Sequence, residues 1–261
     1  MFFFSKKTTI AASGILQGAT DHHSHILPGV DDGVETMDEA LRILATYEAA
    51  GIKTLWLTPH IMEDIPNTPQ KLEARFLELK AAYTGSIELH LAAEYMIDNH
   101  LRKLLQETNK LRPASEGRWH EQSEVTEGSN NKLLPIGSKG NHLLVETSYY
   151  NPPMRFRETL RQIKSLGYHP LLAHPERYMY MDNDEYQELH DEGVRFQLNL
   201  PSLCGAYGNT VKKRAQWLLK NGLYDAIGSD THCEDAIEFI TKCKLSKQAV
   251  EQVERLLHNC I

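Results

Sequence analysis

Residues 20–33, TDHHSHILPGVDDG, bring three histidines and three aspartates together around a Pro-Gly turn. These side chains can bind metal ions through imidazole nitrogen or carboxylate oxygen. On an extended strand alternate side chains share a face, so Asp21, His23 and His25 are expected to point together. Two imidazoles at positions i and i+2 can hold one ion, whereas His22 on the other face suits packing or hydrogen bonding. A His-x-His pattern alone is a weak signal for metal binding, so the rest of the sequence is needed to decide whether these residues bind a metal ion.

Other apolar runs of the chain end in the same residue types. These runs are KTLWLTPH, ending in His60, SIELHLAAE in Glu94, HLLVE in Glu146, PLLAH in His174, and YDAIGSDTH in Asp230 and His232. If the runs are parallel strands of a barrel, their carboxyl ends meet at one rim, where the active sites of such barrels form. Unpaired acids crowded at one rim would repel each other, and metal cations relieve that repulsion. The pattern therefore predicts a metal centre.

The number of candidate donors indicates more than one ion. With about three or four protein ligands per ion and positions open to water, five histidines and four carboxylates suit two or three ions. Nitrogen and oxygen donors without thiolate favour Mn, Fe or Zn over Ca. After the first strand, one of Asp31 and Asp32 can reach the rim while the other caps the helix near Thr36. Spacing does not decide between them.

Strand and helix patterns alternate along the chain. Residues 36–50 carry apolar side chains at helical spacing, with Thr36 and Glu39 as a capping box and Gly51 at the carboxyl end. Seven apolar strands begin near residues 20, 53, 87, 142, 170, 194 and 225. Because parallel neighbours need crossover connections, this order predicts an α/β fold. A closed, distorted (β/α)7 TIM-like barrel is the first expectation, and an open doubly wound sheet is the alternative.

The length of 261 residues suits one large domain. Residues 1–18 are expected to form an N-terminal tail and residues 19–261 the domain. The polar, Gly- and Ser-rich segment 112–141 is expected to be an exposed loop inserted before the fourth strand. Trp119 and His120 make this loop a candidate lid, although a loop without a catalytic role is the simpler interpretation.

Composition limits the function classes. A net charge of −7 argues against a nucleic-acid-binding surface, which needs clustered Lys and Arg. The four cysteines form no Cys-x-x-Cys motif, so they are expected to be free thiols in a reducing compartment. No stretch approaches the roughly 20 apolar residues of a membrane span, so no transmembrane segment and a cytoplasmic location are expected.

The motifs DHHSH, GVDDG, TPH, AAE, VETS, AHPERY and SDTH, in this order, resemble those of the PHP (polymerase and histidinol phosphatase) metallohydrolases. More closely, the chain is similar to the PHP-type bacterial protein-tyrosine phosphatases encoded with capsule and exopolysaccharide genes. The resemblance runs from about residue 19 to the C-terminus, apart from the 112–141 insertion. It implies a distorted (β/α)7 barrel that holds three metal ions, often manganese.

The resemblance also implies ligand sets. One ion would be held by His23, His25, Glu94 and Asp230, a second by Glu94, Glu146 and His174, and a third by Asp32, His60 and His232. In relatives the second aspartate of VDDG is the ligand, which selects Asp32. Arg177 matches an arginine that contacts the substrate phosphate in relatives. Relatives also carry arginines shortly after the motifs that end in His60 and His232, and this chain has none there.

The resulting hypothesis is a metal-dependent phosphoric monoester hydrolase that acts on phosphotyrosine of a protein, with a bacterial tyrosine kinase of polysaccharide export as the expected partner. Divalent cations would activate a water for attack on phosphorus, and Arg177 would stabilise charge on the phosphate oxygens. Asp230, His232 or a metal-bound water could supply a proton, and the phenol (pKa ~10) leaves more easily than an alkyl alcohol. The alternatives are a small-molecule PHP phosphatase of the histidinol phosphatase type and a non-catalytic regulator with the same fold.

Overall fold

The computed structural model describes residues 7–110, 133–259 and 261, so Trp119 and His120 of the expected lid lie outside the described residues. Strands and helices alternate within them. The strands are β1 (Lys7–Thr9), β2 (Thr20–Asp21), β3 (Thr54–Leu57), β4 (His60–Ile61), β5 (Glu88–Leu91), β6 (Glu94–Met96), β7 (His142–Glu146), β8 (His169–Ala173), β9 (Arg195–Asn199), β10 (Ala226–Gly228) and β11 (Lys244–Ser246).

The helices mostly follow the strands as crossover connections. They are α1 (Ile10–Ser13), α2 (Met37–Ala50), α3 (Pro69–Ala82), α4 (Asn99–Lys110), α5 (Phe156–Ser165), α6 (Asn183–Asp191), α7 (Leu200–Cys204), α8 (Gly208–Lys220), α9 (Asp235–Lys242) and α10 (Lys247–Leu257), with a 3₁₀ turn at Pro175–Arg177.

Two parallel sheets form the centre of the molecule. One has six strands in the order β10-β9-β8-β7-β6-β4, the other has three in the order β2-β3-β5, and β1 pairs separately with β11. β3 and β4 are parts of one chain run interrupted at residues 58–59, and β5 and β6 are parts of another interrupted at residues 92–93. Hydrogen bonding continues across the breaks, since the Ala92 N–H donates to the Leu57 carbonyl at 2.9 Å.

The first and last parallel segments also approach each other. The His25 N–H donates to the Thr231 carbonyl at 2.9 Å, and the Asp230 N–H donates to the His23 carbonyl at 2.8 Å. Ser24 and Thr231 form an isolated parallel bridge. The parallel sheet is therefore curled, and the predicted α/β class is confirmed.

Both faces of the curled sheet are covered, as expected for parallel strands. Leu143 and Val145 of β7 belong to the large apolar cluster, whereas Leu144 between them belongs to a second, smaller cluster. The smaller cluster consists of Ala92, Ile136, Leu144, Leu171, Ala173 and Ala226. Strand residues of β7 thus alternate between two apolar layers.

Helix α2 tests the capping residues that the sequence predicts. The Thr36 side chain accepts a hydrogen bond from the Glu39 N–H, and Gly51 ends the helix at a φ of 97°. The Glu39 carboxylate accepts from the Glu35 N–H at 3.3 Å, one residue before the position that a capping box requires. The predicted helix is confirmed, with half of its predicted capping box.

Two segments pack more closely than the sequence suggests. In the expected tail, Ile10 is fully buried and its N–H donates to the Cys243 carbonyl at 2.9 Å. At the end of the expected exposed loop, Leu134 and Ile136 are buried, and the Leu134 N–H donates to the Tyr95 hydroxyl at 2.9 Å. Both segments contribute apolar side chains to the clusters of the domain.

The expectation of free thiols is wrong for two of the four cysteines. Cys204 and Cys243 form a disulfide with Cα atoms 5.4 Å apart, and Cys233 is free and exposed. The pairing joins the end of α7 to the start of the β11 segment, which lie 39 residues apart in the chain. Among the described helices, none is both long and apolar enough to cross a bilayer.

The burial of Ile10 gives a stability prediction. Ile10→Ala should lower the free energy of unfolding by about 2–5 kcal/mol, because it leaves a cavity in a closed core. Lys7→Ala, at an exposed position of β1, is the control and should change it by less than about 0.5 kcal/mol. Urea unfolding monitored by circular dichroism measures both. Equal, negligible effects would mean that this segment does not pack on the domain.

Candidate active site

The curled sheet brings all nine predicted donors to one rim. His23 and His25 follow β2, Asp32 lies in the loop before α2, His60 begins β4, Glu94 begins β6, Glu146 ends β7, His174 follows β8, and Asp230 and His232 follow β10. Seven of these residues are buried. The side chains of Asp32 and His232 are 64% and 32% exposed, so the site opens to solvent on their side.

The side chains of His23 and His25, from the first motif, point towards each other. Their Nε2 atoms lie 3.0 Å apart. His23 Nδ1 lies 2.9 Å from Gln197 Oε1, and His25 Nδ1 lies 2.8 Å from the Asp31 carboxylate. Both partners are acceptors, so each Nδ1 carries a proton and the two Nε2 atoms face each other. Burial lowers the pKa of both histidines, but the neighbouring carboxylates outweigh it and raise the pKa of both, so positive charge is favoured between them. A cation bound by both Nε2 atoms supplies that charge, and such Nδ1 bonding is typical of metal-binding histidines.

Glu94 lies at the centre of the site. Its Oε2 is 3.2 Å from His23 Nε2 and 3.3 Å from His25 Nε2, and its Oε1 is 3.2 Å from His174 Nε2. Burial alone would raise the pKa of Glu94, but the charges and hydrogen bonds of these histidines hold it well below its usual value. The central carboxylate is therefore ionised, and it can bridge two positive centres.

Glu146 shows the opposite tendency. Burial, together with the charges of Glu94 and Asp230, raises the pKa of Glu146 well above its ordinary value. His60 Nδ1 lies 3.3 Å from both Glu94 and Glu146, yet it is buried without a hydrogen-bond partner among the described residues. Three buried carboxylates and an unpartnered imidazole nitrogen form an incomplete set that positive ions would complete.

The structure separates the two aspartates that spacing left open. The Asp31 carboxylate is buried and accepts hydrogen bonds from His25 Nδ1 at 2.8 Å and from the His60 N–H at 3.0 Å. Asp32 Oδ1 instead lies 3.5 Å from His60 Nε2 and 3.6 Å from His232 Nε2. Asp32 thus lies among the donors, while Asp31 lies behind them and orients His25.

The donor atoms form four overlapping groups in which all ligand atoms lie within 4.8 Å of one another. The groups are His25, Asp32, His60 and His232; His23, His25 and Asp230; His23, Glu94 and His174; and His60, Glu94 and Glu146. Imidazole and carboxylate donors in such groups fit divalent cations of the first transition series.

Backbone strain is concentrated at the same rim. Among the described non-glycine residues, only Arg155, His174 and Asp230 have positive φ, at 60°, 34° and 53°. Two of these three are predicted donors. Strain of this kind persists where the surrounding structure enforces it, commonly at functional sites. Gly228 allows the close approach, since a Cβ atom there would lie 2.4 Å from His23 Cβ.

Arg177 lies at the wall of the pocket that these donors line. Its Nη1 donates to Asp230 Oδ2 at 2.7 Å. The guanidinium carbon lies 4.4 Å from the ring centroid of Tyr149 and 4.3 Å from that of Tyr207. Both distances are in the range of cation–π contacts. The pocket has a volume of about 450 Å³, and Met62 and Met96 contribute apolar side chains to its lining.

Sequence reasoning missed the residues that hold the donors in place. Gln197 orients His23, the Asn199 side chain donates to Asp230 Oδ2 at 2.9 Å, and the two tyrosines enclose Arg177. A signal for the first two was present, because Gln197 and Asn199 are polar residues that alternate with the apolar Phe196 and Leu198 in β9. Tyr149 and Tyr207 lie outside the motifs and offered no such signal.

The chain is similar to several known proteins. A family model described as "Capsular polysaccharide synthesis, CpsB/CapC" matches residues 19–117 and 98–255. The tyrosine-protein phosphatase CpsB of Streptococcus pneumoniae is 27% identical over 224 residues, covering 83% of this chain and 84% of that protein. The tyrosine-protein phosphatase YwqE of Bacillus subtilis is 24% identical over 254 residues, covering 92% and 91%.

One solved structure supports the fold. A chain from the crystal structures of YwqE from Bacillus subtilis and CpsB from Streptococcus pneumoniae, described as unique metal-dependent tyrosine phosphatases, matches with a TM-score of 0.67. The match covers 92% of this chain and 88% of that chain at 20% identity.

The position of Asp31 gives a metal-binding prediction. Asp31→Asn removes a charge and an acceptor behind His25, so it should weaken Mn²⁺ affinity about 10- to 100-fold. Asp38→Asn makes the same charge change at an exposed position of α2 and should leave affinity unchanged. Titration of the metal-free proteins by calorimetry measures both. Equal affinities in the two variants would show that Asp31 does not support a metal ligand.

Proposed function

Because the chain belongs to the CpsB/CapC family of capsular polysaccharide synthesis, we propose that it is a metal-dependent protein-tyrosine phosphatase. The observation that carries the proposal is the set of nine imidazole and carboxylate donors in overlapping groups, and seven of these donors line one pocket with Arg177 at its wall. The names of the relatives, tyrosine-protein phosphatases, support the same activity.

We propose that the donors hold two or three divalent ions, with Mn²⁺ first and Fe or Zn as the other candidates. Our ligand sets are His23, His25, Glu94 and Asp230; Glu94, Glu146 and His174; and Asp32, His60 and His232. Bound cations of this kind activate water towards phosphorus and neutralise charge on phosphate oxygens. The close group of His23, His25 and Asp230, and the approach of Asp32 to His60 and His232, support the first and third sets.

The protein's own groups then bind and orient the ester. Arg177, held between two tyrosine rings, donates to the phosphate oxygens and stabilises the charge that spreads over them in the transition state. Its bond to Asp230 keeps the guanidinium directed at the donor ring. Asp230 and His232 are the proposed proton donors. The phenolate leaving group needs little proton assistance, and Met62, Met96 and Tyr149 offer apolar contacts to its ring.

We also propose the fold, the bounds of the domain, the substrate and the location of the protein. We propose a distorted (β/α)7 barrel closed between the first and last strands, supported by the bonds of His25 to Thr231 and of Asp230 to His23. Residues 19–261 form its domain, with the insertion near 112–141. The proposed substrate is a phosphotyrosine-bearing bacterial kinase of polysaccharide export, and the proposed location is cytoplasmic.

Metal dependence and substrate choice are tested together. The Mn²⁺-loaded protein should release phosphate from a phosphotyrosyl peptide, lose this activity with a chelator, and regain it when Mn²⁺ is added back. Histidinol phosphate, an alkyl ester, should react at least about tenfold more slowly, because its leaving alcohol is poorer. Faster turnover of histidinol phosphate would favour a small-molecule phosphatase. Tight peptide binding without phosphate release would favour a non-catalytic regulator.

The role of Arg177 gives a kinetic prediction. Arg177→Ala removes a charged donor to the phosphate, so KM for p-nitrophenyl phosphate should rise about 10- to 100-fold. Arg177→Lys should recover part of the loss, since a lysine keeps the charge without the planar fork. Arg195→Ala, at the amino end of β9, is the control. An unchanged KM in Arg177→Ala, with metal content equal to that of the parent protein, would remove Arg177 from substrate binding.

A further inference from the structure

A second cavity lies beside the candidate active site. It has a volume of about 280 Å³ and is lined by Pro152, Phe156, Arg157, Tyr180, Met181, Glu185 and Leu189. Five of the seven lining residues are apolar or aromatic, and of these Met181 and Leu189 are buried and Phe156 is half-buried. The charge of Arg157 is already paired with Glu188 on α6 and with Glu192 just after this helix. None of the nine donors lines this cavity.

One layer of side chains separates the two cavities. Thr147 lines the active-site pocket, Tyr180 lines the second cavity, and their hydroxyl oxygens lie 2.7 Å apart. The rings of Tyr149, Tyr178 and Tyr180 form a stack with successive centroid distances of 6.3 and 5.9 Å. Arg177 lies against the Tyr149 end of this stack, and the second cavity lies at the Tyr180 end. The two ends are therefore no more than about 12 Å apart.

The segment between the cavities, residues 149–154, is held by hydrogen bonds at both ends. The Met179 N–H donates to the Tyr149 carbonyl at 2.6 Å, and Arg102 Nη1 donates to the Met154 carbonyl at 3.1 Å. Tyr150 and Met154 on this segment are 74% and 81% exposed. Large apolar side chains left exposed beside a preformed cavity are typical of protein-binding surfaces.

We propose that the second cavity binds an apolar side chain of the protein substrate, within about four residues of the phosphotyrosine. The proposal rests on the phosphatase function proposed above. An extended chain advances about 3.3 Å per residue, so about four residues span the tyrosine stack. With the phosphate at Arg177, a free amino acid or small ester fills only the first pocket. A peptide segment fills both, which makes the cavity a determinant of preference for protein substrates.

Phe156 is the position at which to test the cavity. It is the first residue of α5, where an aspartate suits the positive end of the helix dipole, so Phe156→Asp is expected to fold. Phe156→Leu is the matched control, since it keeps an apolar lining. Circular dichroism and thermal unfolding establish that both variants are folded.

The substrates are phosphotyrosyl peptides in which one leucine is moved through the four positions on each side of the phosphotyrosine, with an all-alanine peptide and p-nitrophenyl phosphate for comparison. For the parent Mn²⁺-loaded protein and Phe156→Leu, one leucine position should raise kcat/KM about tenfold over the alanine peptide. Phe156→Asp should lose this preference while hydrolysing p-nitrophenyl phosphate at the parent rate.

Three results would overturn the proposal. The first is that the parent protein prefers no leucine position. The second is that Phe156→Asp loses activity equally on the peptide and on p-nitrophenyl phosphate. The third is that Phe156→Asp alters the oligomeric state while the peptide preference stays intact. Fluorescence anisotropy with the same peptides is independent of turnover. A leucine preference in binding by a protein that releases no phosphate would support the cavity and remove the phosphatase proposal.

Discussion

At one buried rim the Nε2 atoms of His23 and His25 face each other beside the carboxyl groups of Glu94, Glu146 and Asp230. This arrangement is unfavourable without positive charge among these groups. Ionised groups removed from water cost several kcal/mol each unless they are paired. Only some of the histidines can supply that charge. The neighbouring carboxylates raise the pKa of His23 and His25 despite their burial. Burial lowers the pKa of His60 to about 4 and also lowers that of His174. The shape of the rim therefore implies bound cations, and the proposed chemistry follows from where the donors lie.

The scaffold behind the rim explains why the donors stay in place. The Tyr47 hydroxyl, from α2, contacts the side chains of Ser229 at 2.7 Å and Thr231 at 2.5 Å, and so ties the loop that carries Asp230 to the outer helices. Glu176 accepts from the Asn199 N–H at 3.0 Å, and burial raises its pKa to about 7. Three of the donors are thus oriented by polar side chains behind them: His23 by Gln197 and Asp230 by Asn199, both on β9, and His25 by Asp31.

The sequence predicted the parts of this site that depend on local periodicity. Alternation placed His23 and His25 on one face, and strand ends identified six of the other seven donors, because a parallel sheet brings all carboxyl ends together. Asp32, in the loop after the first strand, was selected only by the family resemblance. The sequence did not predict contacts between segments that are distant along the chain. The His23–Gln197 bond spans 174 residues, and the disulfide of Cys204 with Cys243 depends on how α7 meets the β11 segment. Helix α4 (Asn99–Lys110) was also missed, although Leu101, Leu104 and Leu105 have the i, i+3, i+4 spacing of an amphipathic helix.

The central claim is that cations hold these donors together, and anomalous diffraction from crystals grown with Mn²⁺ tests it most directly. We expect anomalous density within coordination distance of His23 Nε2 and His25 Nε2, with Glu94 between that ion and its neighbour. Absence of density among these atoms, in crystals whose manganese content is verified by fluorescence, would contradict the account.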